Sequence, residues 1–215
     1  SCAEFYPMFP GTEVNALTSD LLRCFAQTAK KKFDAAKRSF TSAQTARYAN
    51  IFARAGEGDE AYGALTRMVR SMCMNNLVFA RSDWRGMGMG VSDGWAAYSV
   101  EPNMAATNAL QEMFVQSFDN CVSILPARPQ ALSSGSVSNF MTRAGVEVVS
   151  LEWNGRKSAA TVRLKSRKAR EISVKLPSGA SYRPGKGGEK FDAERSLITE
   201  LKLPANKVVS IDIRY

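Results

Sequence analysis

Residues 125–165, LPARPQALSSGSVSNFMTRAGVEVVSLEWNGRKSAATVRLK, hold the change of period that decides the fold. Before Pro126 the apolar residues recur every three or four positions, and after Pro129 they alternate. Within the stretch, two alternating runs flank Asn154-Gly155, a dipeptide suited to a type I′ hairpin turn. Further on, REISVKLP, SLITELKLP and VVSIDIRY keep the period of two. The tail, residues 126–215, therefore reads as an antiparallel β-sandwich-like module whose strands are half buried.

Upstream the period is helical. TSDLLRCFAQTAKKKFDAAKR (18–38) offers Thr18 or Ser19 as an N-cap and spaces Leu21, Leu22, Phe25, Ala29 and Phe33 along one face. Residues 42–77 read as two helices joined by a tight turn at Gly56-Glu57-Gly58, with Asp59 placed to cap the second. Tyr48, Ile51 and Phe52 on the first, and Tyr62, Leu65, Met68, Val69 and Met72 on the second, form two facing stripes. This αα-hairpin is a repeat unit of helical bundles and of α/α toroids. A last helix is expected over residues 103–118, buried through Ala106, Ala109, Leu110, Met113, Phe114 and Ser117. The fold class expected is thus multi-domain, α then β, with a boundary between residues 125 and 126.

With 215 residues, 45% of them hydrophobic, the chain can bury a real core, but no window approaches the length of a membrane span. The start, SCAEFYPMFPG, has neither the pattern of a signal peptide nor an initiator Met, so a longer natural chain is expected. Histidine is absent, which removes the usual general base and the commonest metal ligand. Any catalysis must run on carboxylates, lysines or tyrosines. Cys24, Cys73 and Cys121 sit in apolar helical surroundings and read as small buried hydrophobes, with one disulfide as the alternative.

Of the net charge of +9, nearly all lies from Leu151 onward, where fifteen Lys/Arg face seven Asp/Glu. The cations alternate along the strands, as a solvated sheet face requires. No aromatic interleaving accompanies them, so no nucleic-acid partner is expected. A basic adaptor for anionic polymers would bind in a strongly salt-dependent way.

Between the helices lies ARSDWRGMGMGVSDGWAAYSVEPN (80–103). Its alternating glycines follow no strand and precede no GK[ST], so they are not a phosphate loop. Trp84, Trp95 and Tyr98 stand beside Asp83, Asp93 and Glu101, the pairing that carbohydrate sites use: rings stack on sugar C–H faces and carboxylates bind hydroxyls or move protons. The competing reading is an exposed loop in which Glu101 merely starts a helix. Glu57, Asp59, Glu60 and Glu112 read as caps and solvated faces.

Four blocks carry a resemblance: EFYPMFPG (4–11), YANIFARAGEGDEAYGAL (48–65), VEPNMAATNALQEMFVQS (100–117) and VSILPARPQALSSGSVSNFMTRAGVEVVSLEWNGRK (122–157). In this order they resemble the C-terminal part of glycoside hydrolase family 95, whose members act chiefly on α-L-fucosides, with some on α-L-galactosides. The resemblance implies a partial (α/α)6 toroid over residues 1–125, then a supporting β-module, and an inverting mechanism without metal or cofactor. Family members carry Asp-Gly-Asn just before the ATxxxxEMxxQS-type helix, where this chain has Glu101-Pro102-Asn103. Glu101 is then the carboxylate that activates water, and Asn103, Trp84 and Trp95 contact the sugar. The longer Glu arm, the proline, and GWAAYS in place of a His-Pro-Pro-Phe stretch set this chain apart from the usual members.

The family's general acid lies upstream of the matched blocks, and an inverting glycosidase needs two carboxyl groups. These residues alone are therefore expected to be inactive. The partners implied are an oligosaccharide or polysaccharide substrate and the remainder of the catalytic domain, with neither nucleic acid nor membrane. Two alternatives are a non-catalytic carbohydrate-binding or scaffold protein that kept the fold, and another α/α-toroid glycosidase.

Overall fold

A computed structural model describes residues 3–36, 38–92, 97–184 and 197–215. The chain forms two compact units, Ser1–Met113 with Ala127–Pro129, and Phe114–Pro126 with Gln130–Tyr215.

The helical unit is built around its second helix. Helices α1 (Ser19–Ala36), α2 (Ser42–Arg54) and α3 (Gly58–Met72) precede a two-stranded ribbon, β1 (Phe79–Ala80) with β2 (Tyr98–Ser99), and then α4 (Glu101–Phe114). A capping box starts α2: the Thr41 hydroxyl accepts from the Gln44 N–H while the Gln44 side chain accepts from the Thr41 N–H. Tyr48, Ile51 and Phe52 are fully buried, as their spacing requires. Tyr48 stacks on Phe40 at 4.9 Å between ring centroids, and Phe33 of α1 meets Phe52 edge-on at 5.4 Å. Gly56, at φ 83°, turns the chain out of α2. Gly58 then admits no side chain, since a Cβ there would lie 2.1 Å from the Ala127 carbonyl oxygen.

Several helical expectations need correction. Glu57, not Asp59, occupies the N-cap of α3 and makes no side-chain cap bond, so Asp59 acts only as an acid in the first turn. Leu21 and Val69 are about half exposed, because α1 packs through Ala26, Ala29 and Phe33, and α3 through Ala64, Leu65, Met68 and Met72. Cys24 is exposed. Helix α4 starts at Glu101 and ends at Phe114, and residues Val115–Phe118 form a strand, β3. The apolar spacing through Phe118 suits either structure. The antiparallel partner, β4 (Cys121–Ile124), decides it through the pairs Val115↔Ile124 to Phe118↔Cys121. Leu110 is consequently exposed rather than buried, and Met104 still more so at 69%.

The second unit holds two sheets. The five-stranded one runs β5 (Ser134–Met141), β6 (Glu147–Asn154), β7 (Ala159–Lys165), β11 (Val208–Arg214), β9 (Ser181–Pro184), all antiparallel. The four-stranded one runs β10 (Leu197–Leu203), β8 (Arg170–Lys175), β4, β3. Here β4 and β8 are parallel, so the expected wholly antiparallel module is mixed at this one pairing. Strand β7 alternates strictly, burying Ala160, Val162 and Leu164.

The β6–β7 hairpin is present, but its turn is longer than type I′. Asn154 stays extended (φ −140°, ψ 105°) and its side-chain oxygen accepts from the Lys157 N–H. A single 3-10 turn, Gly155–Lys157, follows, and Ser158 at φ 47° returns the chain. The Gly155 N–H is already bonded to the Ser133 carbonyl at 2.8 Å, which fixes it outside a two-residue turn. Cys73 and Cys121 are buried as expected, though Cys121 lies on a strand, where burial pushes its thiol pKa up. The described cysteines are all free thiols.

Candidate functional site

The loop before β2 is organised by one buried carboxylate. Asp83, 3% exposed, accepts from the Met87 N–H at 3.1 Å and the Met89 N–H at 2.9 Å. Its own N–H donates to the Val91 carbonyl, and Val91 in turn donates to Phe40. The positive φ of Gly86 and Gly88, 65° and 67°, lets this short arc close. Asp83 is therefore engaged in holding the loop. Trp84 projects from the same arc, 41% exposed, with the Arg85 guanidinium over its ring at 4.9 Å. Asp93 and Trp95 lie outside the described residues.

The ribbon delivers the chain to α4. Phe79 pairs with Ser99 and Ala80 with Tyr98, and Val100 then leads into the helix. Glu101 is the first helical residue, exposed, in a position where the helix dipole favours a negative charge. Asn103 sits two residues further along the same turn. Its amide nitrogen donates to the Leu77 carbonyl at 2.8 Å and its amide oxygen accepts from the Phe79 N–H at 3.2 Å. Asn103 thereby ties the first turn of α4 to the strand entering the ribbon. The structure thus brings Glu101 and Asn103 together, while Trp84 belongs to the Asp83 arc. Tyr98 and Val100, 71% and 65% exposed, flank Glu101 in sequence.

Behind this turn, α2 and α4 are joined by polar contacts that sequence reading missed. Asn50, fully buried, donates to the Ala105 carbonyl and accepts from Asn108 at 2.5 Å. One turn on, Arg54 pairs with Glu112 at 2.8 Å, and both are at least nine-tenths buried by residue. The Arg54 guanidinium also donates to the Met8 and Gly11 carbonyls and lies over the Phe9 ring. Glu112 is thus no solvated-face residue: it neutralises a buried cation. The signal available was the shared helical step of Asn50/Arg54 and Asn108/Glu112, four residues on each helix.

In the β-unit, the sequence block SGSV…LEW resolves into one contact. The Trp153 indole stacks on Phe114 at 4.6 Å and donates to the Leu132 carbonyl at 3.0 Å. Gly135 pairs with Trp153 across the strands, and a Cβ there would fall 2.7 Å from the ring. The glycine exists to let the indole lie across β5. Beyond it, Thr142 and Gly145 close the β5–β6 turn, whose Ala144 carbonyl accepts from Arg170 and whose Ala144 N–H donates to Ser117.

Helices thus come first and sheets after, with these motif blocks serving as packing contacts. The family comparison falls on the second unit: residues 116–211 match the model "Glycoside hydrolase family 95, C-terminal domain". Among solved structures, the chain is similar to Ara127N-Se, a GH127 beta-L-arabinofuranosidase from Geobacillus stearothermophilus T6. That match has 13% identity and a TM-score of 0.36, covering 79% of this chain and 28% of that one. No curated protein matches the chain.

Proposed function

We propose that the chain is the C-terminal part of an inverting glycoside hydrolase that acts on α-L-fucosides or related L-sugars. The observation that carries this reading is Glu101. The helix before the matched stretch opens on an exposed carboxylate, where the resemblance to family 95 puts the water-activating aspartate. Asn103 acts there as the clamp that sets the turn beside the sugar, its amide bonded to Leu77 and Phe79, and Trp84 and Trp95 supply stacking faces. The exposed apolar residues of α4, Met104 and Leu110, favour further helices of an (α/α)6 toroid as neighbours, and these would bring the general acid.

In the mechanism proposed, Glu101 takes a proton from a water that attacks the anomeric carbon from the face opposite the leaving group. The acid from the remainder of the catalytic domain protonates the leaving oxygen. This chain by itself is inactive, since it supplies one of the two carboxyl groups. The test is Glu101→Gln in the intact protein, assayed on aryl α-L-fucosides and α-L-galactosides. A fall in kcat of about 10²–10⁴-fold is expected; unchanged turnover removes Glu101 from the mechanism.

A further inference from the structure

A second place in the helical unit has the makings of a binding site. Between α1 and α3 runs a cleft of about 710 Å³, closed at one end by residues 87–89 of the Asp83 arc. Arg67 and Arg70 stand one turn apart on α3, so they share a face. Arg38, just beyond α1, lines the same cleft. Arg67 is fixed: its Nε donates to the Met89 carbonyl at 2.7 Å and its guanidinium lies over the Phe33 ring at 5.8 Å. Partial burial pushes against its protonated form and Arg38 adds to this, while Asp83 and Asp34 favour the charge.

Asp34, Asp59 and Glu60 share the rim. Asp34 and Glu60 also engage Lys30, the first at 3.9 Å and the second closer, so a fourth cation offsets part of their charge. Arg38 and Arg70 are exposed. The backbone behind Arg70 is pinned by Arg85, which donates to its carbonyl at 3.1 Å. Three forked cations lining one cleft can grip an oxyanion, which accepts paired N–H bonds from them. Tyr62 and Met87 add apolar surface beside them, of the kind that packs on a sugar ring.

We propose that this cleft binds the charged group of an acidic saccharide, a carboxylate or sulfate ester, through Arg38, Arg67 and Arg70. The oxyanion part rests on the cleft alone. The saccharide part rests on the glycosidase reading above and would make the site an accessory grip on a charged glycan, separate from Glu101.

Calorimetric titrations of the protein with inorganic sulfate, galacturonate and galactose at low ionic strength test both parts. Sulfate and galacturonate are expected to bind and galactose not to. Arg38→Gln and Arg70→Gln should each weaken binding about tenfold or more, and high salt should weaken it further. Arg23→Gln, an exposed α1 change outside the cleft, should leave it unaltered. Both variants alter exposed side chains, and an unchanged circular dichroism spectrum verifies folding. Galactose binding as well as galacturonate, or full affinity in the Arg38→Gln/Arg70→Gln double variant, overturns the site. Sulfate binding without galacturonate binding overturns the saccharide assignment. Neither outcome bears on Glu101, whose assay uses a neutral aryl glycoside.

Discussion

The helical and β units solve the problem of burial in opposite ways. Among the described residues, eleven large apolar side chains are exposed in the helical unit and two in the β-unit. The helical unit also spends buried space on charge, through Arg54 and Glu112, and on amides, through Asn50 and Asn108. The β-unit instead closes over Val148, Leu151, Val162, Leu164, Ile172 and Val174, with Trp153 as its largest packed side chain. In the reading proposed above, further helices would cover the exposed Met104, Leu110 and Leu21.

Substitutions in the two interiors should therefore act on separate transitions and by different mechanisms. Arg54→Ala removes the cation that neutralises the buried Glu112 carboxylate, and should destabilise the helical unit by about 3–5 kcal/mol. Replacing the pair together, Arg54→Met with Glu112→Leu, should recover most of that. Trp153→Ala should cost the β-unit about 3–5 kcal/mol by cavity formation, with no such rescue. Hydrogen exchange resolved by residue reads the two units apart; equal loss of protection in both, from either single variant, breaks the comparison.

Somewhat smaller effects are expected where glycine makes room. Gly58→Ala drives a methyl into the Ala127 carbonyl, and Gly135→Ala drives one into the Trp153 ring. Each should cost about 1–3 kcal/mol in chemical denaturation, confined to its own unit. The smallest effect sharpens the contrast most. Met104→Ser with Leu110→Ser should change the stability of this chain by no more than about 0.5 kcal/mol, while reducing binding of an apolar dye. A loss of several kcal/mol would mean that this face is already covered.

The sequence displayed what local period and turn chemistry control. The α2–α3 hairpin follows from Tyr48, Ile51, Phe52, Leu65 and Met68 around Gly56, and the β6–β7 hairpin from strict alternation. What stayed hidden depended on partners distant in sequence. Val115–Phe118 continues the apolar spacing of α4 and becomes a strand because β4 offers its backbone. Glu112 looked like a surface charge until α4 met α2 and brought it to Arg54, 58 positions away. Asp83 looked like a sugar ligand by its neighbours Trp84 and Trp95, yet its carboxylate closes the glycine arc. Glu101 and Asn103 were legible as a pair because the family pattern and the helix start fall on the same three residues.

The most direct measurement is azide rescue of Glu101→Ala in the intact protein, on an activated aryl α-L-fucoside, with the product's anomeric configuration read by NMR. If Glu101 activates the attacking water, the variant is slow, azide restores turnover, and the product is the glycosyl azide of inverted configuration. Undiminished hydrolysis by the variant, or an azide product of retained configuration, would contradict the account.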